Sequence, residues 1–254
     1  MSSLNRMLSV LNLFTAERPV WDADRIVEEL GCSTPTGYRY LKELMQAGLL
    51  QRVIGGDYTL GPRITLLDYI IRTTDPLLAA SIPLMRELVD QTECHCVLSR
   101  LDGEVFLDLH HERMEQEVPL MYSRGRPRPM FRGSAPKVVV ANQSLKQQRT
   151  LYARFQREAE AAGLGRSEEI FLQHMQQIRK VGFYRSDEEL EAGISSLSIP
   201  VRFAQKENCA ALALVSSTRR FELINVDKLL ELMQQTAQRI CARILEAQQL
   251  SEHR

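Results

Sequence analysis

The sequence predicts an α+β fold of two domains joined by a helix. Residues 1–61 contain three short runs with helical spacing, followed by a strand, a glycine-rich turn and a second strand. After residue 75, segments with the two-residue alternation of strands flank the turn signal Asp102-Gly103. At 254 residues the chain is long enough for two hydrophobic cores. We therefore expect a winged helix-turn-helix at 1–61, a linker helix at 62–75 and a larger domain with an antiparallel sheet at 76–254.

Apolar spacing and terminal signals mark three helices in the first domain. The first helix ends before Pro19 and carries the stripe Met7, Leu8, Leu11 and Phe14. The second begins at the N-cap Asp22, stops at Gly31 and carries the stripe Ala23, Ile26, Val27 and Leu30. The third is capped by Thr34, has Pro35 at its first position and carries the stripe Leu41, Leu44 and Met45. The short break between the last two helices is typical of a helix-turn-helix.

The period changes to that of strands after the third helix. Residues 49–54 and 58–60 flank the turn Gly55-Gly56-Asp57, which predicts a two-stranded wing. Such a module places the third helix in the major groove of DNA and the hairpin beside the backbone. Arg39 suits a bidentate contact to guanine, whereas Lys42 and Arg52 suit phosphate. The predicted DNA-binding residues, which we expect to be exposed, are Thr34, Thr36, Tyr38, Arg39, Tyr40, Lys42 and Arg52.

Composition bounds the partners and the compartment. The net charge is zero, and eight Arg and Lys residues balance eight Asp and Glu residues in the first 72 positions, so DNA binding depends on local placement of charge. The longest apolar stretches, such as residues 209–215, fall far short of the roughly 20 residues of a membrane span. Five cysteines, an odd number, do not make a disulfide framework in a chain of this size. We expect a cytoplasmic protein with reduced, mostly buried thiols and without a cofactor or a membrane partner.

Motifs in both halves of the chain resemble those of the IclR family of bacterial regulators. In the first domain they are GCSTPTGYRYLKELMQAGLLQR at residues 31–52 and DYTLGPRI at residues 57–64. In the larger domain they are GFYRSDEE at residues 182–189, Gly193-Ile194 and Ile199-Pro200-Val201. One departure is Gly37, where the family usually has an apolar residue and where glycine costs about 1 kcal/mol against alanine. We interpret Gly37 as a tolerated weakness of the helix; a close approach of its backbone to DNA is the alternative.

The resemblance implies a GAF-like effector domain, with a cavity for a small metabolite that is commonly an acid or an aromatic. It also implies double-stranded DNA as a partner and a homodimer or tetramer. A second departure is Ser134-Ala135-Pro136-Lys137, where the family has Ala-x-Gly-Lys. Relatives often present serines where this chain has Ala213 and Val215, so we hypothesise a more apolar pocket, suited to an aromatic or longer ligand. The effector-binding positions that the resemblance implies are Gly133, Ser134, Asp187, Ser196, Ala213 and Val215.

Two clusters of polar residues have alternative interpretations. The basic loop Arg124, Arg126, Arg128 and Arg132 either offers an arginine to an acidic effector or is a solvated surface loop. The second cluster has side-chain types that bind zinc, namely Cys94, His95, Cys96, His110 and His111. Successive strand residues point to opposite faces, so Cys94 and Cys96 cannot easily share a site with His95. We therefore favour buried core cysteines and expect no metal.

Three classes of function fit these patterns: a ligand-controlled DNA-binding regulator, a winged-helix module that binds proteins, and an enzyme with an accessory winged helix. The sequence has no Gly-x-Ser-x-Gly elbow, His-Glu-x-x-His motif, phosphate loop or dinucleotide fingerprint. We therefore expect a sequence-specific transcriptional regulator and not an enzyme. In this hypothesis the effector favours one arrangement of two DNA-reading heads and so changes operator affinity.

Overall fold

A computed structural model describes residues 2–114, 120, 124–203 and 209–252 and divides into two compact units, Met1–Asp75 and Pro76–Arg254. The N-terminal unit contains helices and a two-stranded sheet, and the C-terminal unit contains a six-stranded antiparallel sheet with helices. The predicted α+β architecture is confirmed. No helix in the described ranges is long and apolar enough to span a bilayer.

The N-terminal unit is a winged helix. Its elements are α1 (Ser3–Ser9), a 3-10 turn (Val10–Leu13), α2 (Ala23–Leu30), α3 (Thr34–Gln46), β1 (Leu50–Arg52), β2 (Tyr58–Leu60) and α4 (Pro62–Thr74). Asp22 caps α2 by accepting from the Arg25 N–H at 2.9 Å, as predicted. The first α-helix is shorter than predicted, because the chain tightens into the 3-10 turn and the Leu13 carbonyl accepts from the Trp21 indole at 2.8 Å.

The buried face of α3 is displaced from the predicted one. Gly37, Tyr40, Leu41 and Leu44 are buried, with the i, i+3, i+4, i+7 spacing of one helix face. Met45, predicted in the apolar stripe, is 37% exposed instead. A Cβ at Gly37 would lie 2.3 Å from Val27 Cγ2 on α2, so glycine permits the close approach of the two helices. The interpretation of Gly37 as a tolerated weakness is therefore wrong, and the residue faces α2.

The linker helix α4 carries apolar side chains that the N-terminal unit does not bury. None of its residues is buried in the described part of the chain. The exposed apolar residues are Leu66, Leu67, Tyr69, Ile70 and Ile71. A contiguous apolar surface of this kind is typical of a protein interface.

The C-terminal unit is built on one antiparallel sheet in the strand order β5-β4-β3-β8-β7-β6. Its strands are β3 (His95–Asp102), β4 (Val105–Glu112), β5 (Pro127–Arg128), β6 (Tyr184–Asp187), β7 (Ile194–Arg202) and β8 (Cys209–Ser217). Its helices are α5 (Pro76–Thr92), α6 (Ser134–Ala141), α7 (Leu145–Ala161), α8 (Glu168–Val181), α9 (Thr218–Leu223) and α10 (Val226–Glu252). The predicted hairpin at Asp102-Gly103 is confirmed, because β3 and β4 pair directly around it.

The two faces of this sheet bury separate apolar cores. Alternate residues of β8 divide between them: Leu212 and Leu214 pack with α5 and α10, whereas Ala213 and Val215 pack with α6, α7 and α8. The helices on each face exclude water from the sheet beneath them. A functional site on the α6 side is therefore enclosed by the sheet below and by loops and helices above.

The structure favours the core interpretation of the cysteine and histidine cluster. Cys94 and Cys96 lie in the apolar core beneath α5, and burial raises the pKa of the Cys96 thiol far above its usual range. His95 is buried on the other face, where its Nδ1 accepts from the Met114 N–H at 3.1 Å. Within the described ranges, no group of three or more His, Cys, Asp or Glu residues is placed to hold a metal ion.

Candidate functional sites

The exposed face of α3 presents most of the predicted DNA-binding residues. Thr34, Tyr38, Arg39 and Lys42 are exposed, and Thr36 is half-buried. Tyr40 is the exception, because only 5% of it is exposed and its hydroxyl shares a hydrogen bond of 2.9 Å with Ser3 Oγ. The prediction that Tyr40 is exposed is therefore wrong. It belongs to the face of α3 that contacts α1.

Arg52 lies on the wing and is oriented by a buried tyrosine. Its Nη2 donates to the Tyr58 hydroxyl at 2.8 Å and its Nε donates at 3.2 Å. Tyr58 is 2% exposed and is part of the core of the unit. The guanidinium is thereby held along β1, with the residue exposed to solvent.

A cavity on the α6 side of the second unit is lined by residues from all six strands and from the turn between β6 and β7. Its empty volume is about 400 Å³ including the mouth, of which about 30 Å³ is open to the centre of a water molecule. Its lining residues are Val97, Asp108, His111, Leu120, Arg128, Ser186, Leu190, Glu191, Ile194, Ser196 and Val215. Polar groups thus stand at both edges of the sheet, with valines on the two central strands.

A buried ion cluster forms one end of this cavity. Asp108 accepts from Ser99 Oγ at 2.6 Å and from Arg128 Nη1 at 3.0 Å, both on Oδ1. His111 Nε2 lies 3.0 Å from Asp108 Oδ2. Burial favours the neutral acid, but hydrogen bonds from His111 and Ser99 and the charge of Arg128 outweigh it, so the pKa of Asp108 is lowered. Asp108 is therefore a carboxylate at neutral pH and only accepts hydrogen bonds.

A β-bulge brings Asp108 and His111 together. In the register of β3 with β4, Leu98 pairs with His110 and Ser99 pairs with Asp108, so Leu109 is an extra residue. Residues three apart in a regular strand point to opposite faces. The bulge inserts one residue between them and returns both side chains to the cavity face.

Serine hydroxyls form the other end of the cavity. Ser196 Oγ lies 2.7 Å from Ser134 Oγ, which also lies 2.6 Å from Ser198 Oγ. Ser134 is thus placed behind Ser196 and is not itself a lining residue. Ser186, on the neighbouring strand β6, adds a second hydroxyl-bearing residue to the wall.

The structure distributes the other predicted effector positions differently. Val215 lines the cavity, whereas Ala213 is buried in the core on the same face of the sheet. Gly133 adjoins the cavity wall, since a Cβ there would lie 3.3 Å from Arg128 Nη2. Asp187 points away, because it is adjacent to Ser186 on β6 and accepts from Ser195 Oγ at 2.8 Å. The inward side chain of that pair is Ser186, since strand residues alternate between faces.

The arginine loop contributes one residue to the cavity. Arg128 is a lining residue, and 8% of its side chain is exposed. Two other arginines of the loop donate to backbone carbonyls. Arg124 Nε donates to the Leu109 carbonyl and Arg132 Nε donates to the Glu189 carbonyl, each at 2.9 Å. Arg128 is therefore not solvated as the surface-loop interpretation predicts.

A buried lysine joins α6 to the turn that carries Leu190 and Glu191. Lys137 is fully buried, and its ammonium donates to the Glu189 carboxylate and, at 3.0 Å, to the Tyr184 hydroxyl. The Gly133 N–H also donates to Glu189, at 3.2 Å. These contacts hold the turn beside the N-terminal end of α6, where it forms part of the cavity wall.

Two family models match the chain over most of its length. Residues 3–53 match the IclR helix-turn-helix domain, and residues 72–242 match the bacterial transcriptional regulator IclR C-terminal domain. The chain belongs to the IclR family. It is a DNA-binding transcriptional regulator with a small-molecule effector, as the resemblance in its motifs predicted.

Curated relatives match this IclR-family chain over most of their length. The HTH-type transcriptional regulator XynR of Escherichia coli (strain K12) is 25% identical over 236 residues, covering 92% of this chain and 93% of the relative. The Pca regulon regulatory protein of Pseudomonas putida is 24% identical over 213 residues, covering 84% of this chain and 73% of the relative. Both are regulatory proteins by name.

Solved structures share the fold. An IclR-type regulator from Silicibacter sp. TM1040 superposes with a TM-score of 0.77 at 22% identity and covers 96% of each chain. An IclR homolog from Microbacterium hydrocarbonoxydans, complexed with 4-hydroxybenzoate, has a TM-score of 0.76 at 20% identity and covers 96% of this chain and 100% of its own. At these identities the likeness concerns the fold alone.

The IclR resemblance did not identify the charged end of the cavity. No motif of the sequence includes Asp108, and the pattern around His111 indicates only a side-chain type that binds metals. The available signal was local: Asp108 interrupts the apolar run Val105-Phe106-Leu107 before Leu109. A charged residue inside a strand of this kind indicates either an exposed edge or a buried pair.

Proposed function

We propose that the exposed face of α3 reads operator DNA in the major groove. The observation that carries this proposal is the division of α3 into a buried face, which contacts the unit's own core, and an exposed face rich in donors. Arg39 is proposed to contact guanine, with Lys42 and Arg52 on phosphate. The remaining proposed contacts are Thr34, Thr36 and Tyr38.

The cavity beneath the loops of the second unit is the proposed effector site. It combines an enclosed apolar middle with a few polar groups, which is typical of a small-molecule site. Ser196 and Val215 remain proposed contacts, and Gly133 and Ser134 are proposed to support the wall. The proposed effector is a metabolite acid or an aromatic, in keeping with the relative that is complexed with 4-hydroxybenzoate. The protein is proposed to switch DNA affinity in the cytoplasm and to catalyse no reaction.

The proposed assembly is a homodimer in which α4 packs against its counterpart, with a tetramer as the larger alternative. Leu67 and Ile71 lie on one face of α4 and are 38% and 55% exposed. Full burial of such a side chain is worth roughly 1.5–3 kcal/mol, and burial of the exposed part of these two is worth about half of that per residue. Two DNA-reading heads would then contact half-sites about 34 Å apart on one face of the duplex.

The test is selection of bound fragments from host genomic DNA by the full-length protein. Recovery of a few inverted-repeat sites is the expected result. Arg39→Ala should weaken binding to these sites by about 1–3 kcal/mol and relax the preference at one base position. Lys42→Ala is the matched contrast, because loss of a phosphate contact weakens all sequences about equally and reduces the salt slope by about 1. Selection of no sequence above background at low salt would overturn the proposal.

A further inference from the structure

His111 presents an unpaired ring nitrogen to the effector cavity. Its side chain is 6% exposed, and Nδ1 is buried without a hydrogen-bond partner among the residues that the structure describes. Leaving a buried polar atom unpaired is costly in a folded protein. The position of His111 in the cavity wall makes a ligand atom the natural partner.

Asp108 fixes the tautomer that His111 adopts when its ring is neutral. The Asp108 carboxylate only accepts, so the proton of the neutral ring lies on Nε2, 3.0 Å from Oδ2. The Nδ1 atom of that tautomer carries a lone pair and no hydrogen. A ligand atom that satisfies Nδ1 of the neutral ring donates a hydrogen bond, as a hydroxyl does.

The remainder of the cavity bounds the body of the ligand. Val97 on β3 and Val215 on β8 line the central part of the sheet between His111 and the serines. About 30 Å³ between these side chains is open to the centre of a water molecule, which is room for a few waters, so a larger ligand must extend into the rest of the roughly 400 Å³ of empty space toward the mouth. The negative charge of Asp108 is already balanced by Arg128, whose Nη1 lies 3.0 Å from Asp108 Oδ1.

We infer that the effector is a hydroxylated aromatic or alicyclic molecule whose hydroxyl donates to His111 Nδ1. This inference rests on the proposed function in taking this cavity as the effector site. It names the chemistry of one end of the ligand, which neither the fold nor the family assigns. The opposite end of the ligand faces Ser186 and Ser196.

The test is calorimetric titration of the full-length protein at pH 8 with matched probes. 4-Hydroxybenzamide and 4-hydroxybenzoate carry the donor, benzamide and benzoate lack it, and 4-methoxybenzamide keeps the oxygen without the hydrogen. Each hydroxylated probe should bind about 5- to 150-fold more tightly than its unsubstituted counterpart, the effect of leaving a buried acceptor unpaired. Equal affinities within a pair, or binding of none of the hydroxylated probes, would overturn the inference.

Two further measurements separate a direct contact from a folding effect. His111→Leu, which removes the acceptor, should abolish the preference for the hydroxylated probes, whereas His110→Leu should retain it, because His110 bonds to Glu112 on the opposite face of the sheet. In the wild-type protein, the ¹⁵N resonance of His111 Nδ1 should shift when 4-hydroxybenzamide is added and not when benzamide is added. An unchanged resonance in the presence of bound probe would also refute the contact.

The same probes distinguish this inference from the proposed function. A hydroxylated probe that binds through His111 without changing operator affinity would support the ligand class and overturn the effector role. Operator binding that responds to none of the hydroxylated probes would leave the DNA-reading function standing and contradict the ligand class.

Discussion

Gly37→Ala should destabilise the N-terminal unit, although alanine is the better helix former. The added Cβ would lie 2.3 Å from Val27 Cγ2, whereas carbon atoms pack at about 3.5–4.0 Å. Val27 cannot turn away cheaply, because a β-branched residue in a helix has one strongly preferred χ1 rotamer. Overpacking costs about 1–3 kcal/mol and helix propensity returns about 1 kcal/mol. The expected net loss in the free energy of unfolding is up to about 2 kcal/mol.

The single tryptophan makes this measurement local to the N-terminal unit. Trp21 is 6% exposed in the same core, so its fluorescence during urea unfolding reports the stability of that unit. The assay compares wild type, Gly37→Ala, Val27→Ala and the double variant. In the Val27→Ala background the opposing methyl is absent, so Gly37→Ala should stabilise by up to about 1 kcal/mol. A Gly37→Ala protein that is more stable than wild type, with no coupling to Val27, would refute the close packing of α2 and α3.

Three further predictions concern the effector unit and the assembly. Asp108→Ala should lower the free energy of unfolding by about 3–5 kcal/mol, because it removes the buried carboxylate that pairs with Arg128. Asp102→Ala, at an exposed pair, should cost about 1 kcal/mol or less, and urea unfolding followed by circular dichroism compares the two variants. Because the pKa of Asp108 is lowered in the folded protein, ionised Asp108 contributes fully to the free energy of unfolding above about pH 3.9, the pKa of an unfolded aspartate. This contribution is lost as the pH falls through the pKa of the folded state. The stability gap between wild type and Asp108→Ala should therefore persist at pH 5 and shrink below pH 4, and a gap that closes already at pH 6 would contradict this assignment. Ile71→Asp should raise the dimer dissociation constant about 10- to 150-fold in analytical ultracentrifugation, since two copies of a side chain that is 55% exposed, each worth about half of the 1.5–3 kcal/mol of full burial, are lost. Thr65→Asp should leave the dissociation constant nearly unchanged.

The winged helix was predictable because its signals are local. Asp22, Gly31 and Pro35 specify where helices begin and end through backbone hydrogen bonds and φ preferences that depend on a few neighbouring residues. The same signals do not determine which face of α3 is buried. Tyr40 and Met45 are both amphipathic or flexible enough for either face, and the packing of α1 against α3 decided that Tyr40 is buried and Met45 exposed.

The lining of the proposed effector cavity was predictable only in part. Of the effector positions that the resemblance implies, Ser196 and Val215 line the proposed cavity. The resemblance selected Asp187 where the lining residue is Ser186, because a shift of one residue along a strand exchanges the two faces of the sheet. The hypothesis of a more apolar pocket also missed the charged cluster on β4.

The sequence by itself determined the order of elements, the winged helix, the antiparallel character of the second unit and the family. These depend on periodicity, turn chemistry and motifs that are read along the chain. Only the tertiary structure decided which side chains line the cavity. Asp108, His111 and Arg128 meet because a bulge at Leu109 returns two β4 residues to one face and a loop brings Arg128 beside them. Their contacts join positions up to 20 residues apart, so no local pattern specifies them.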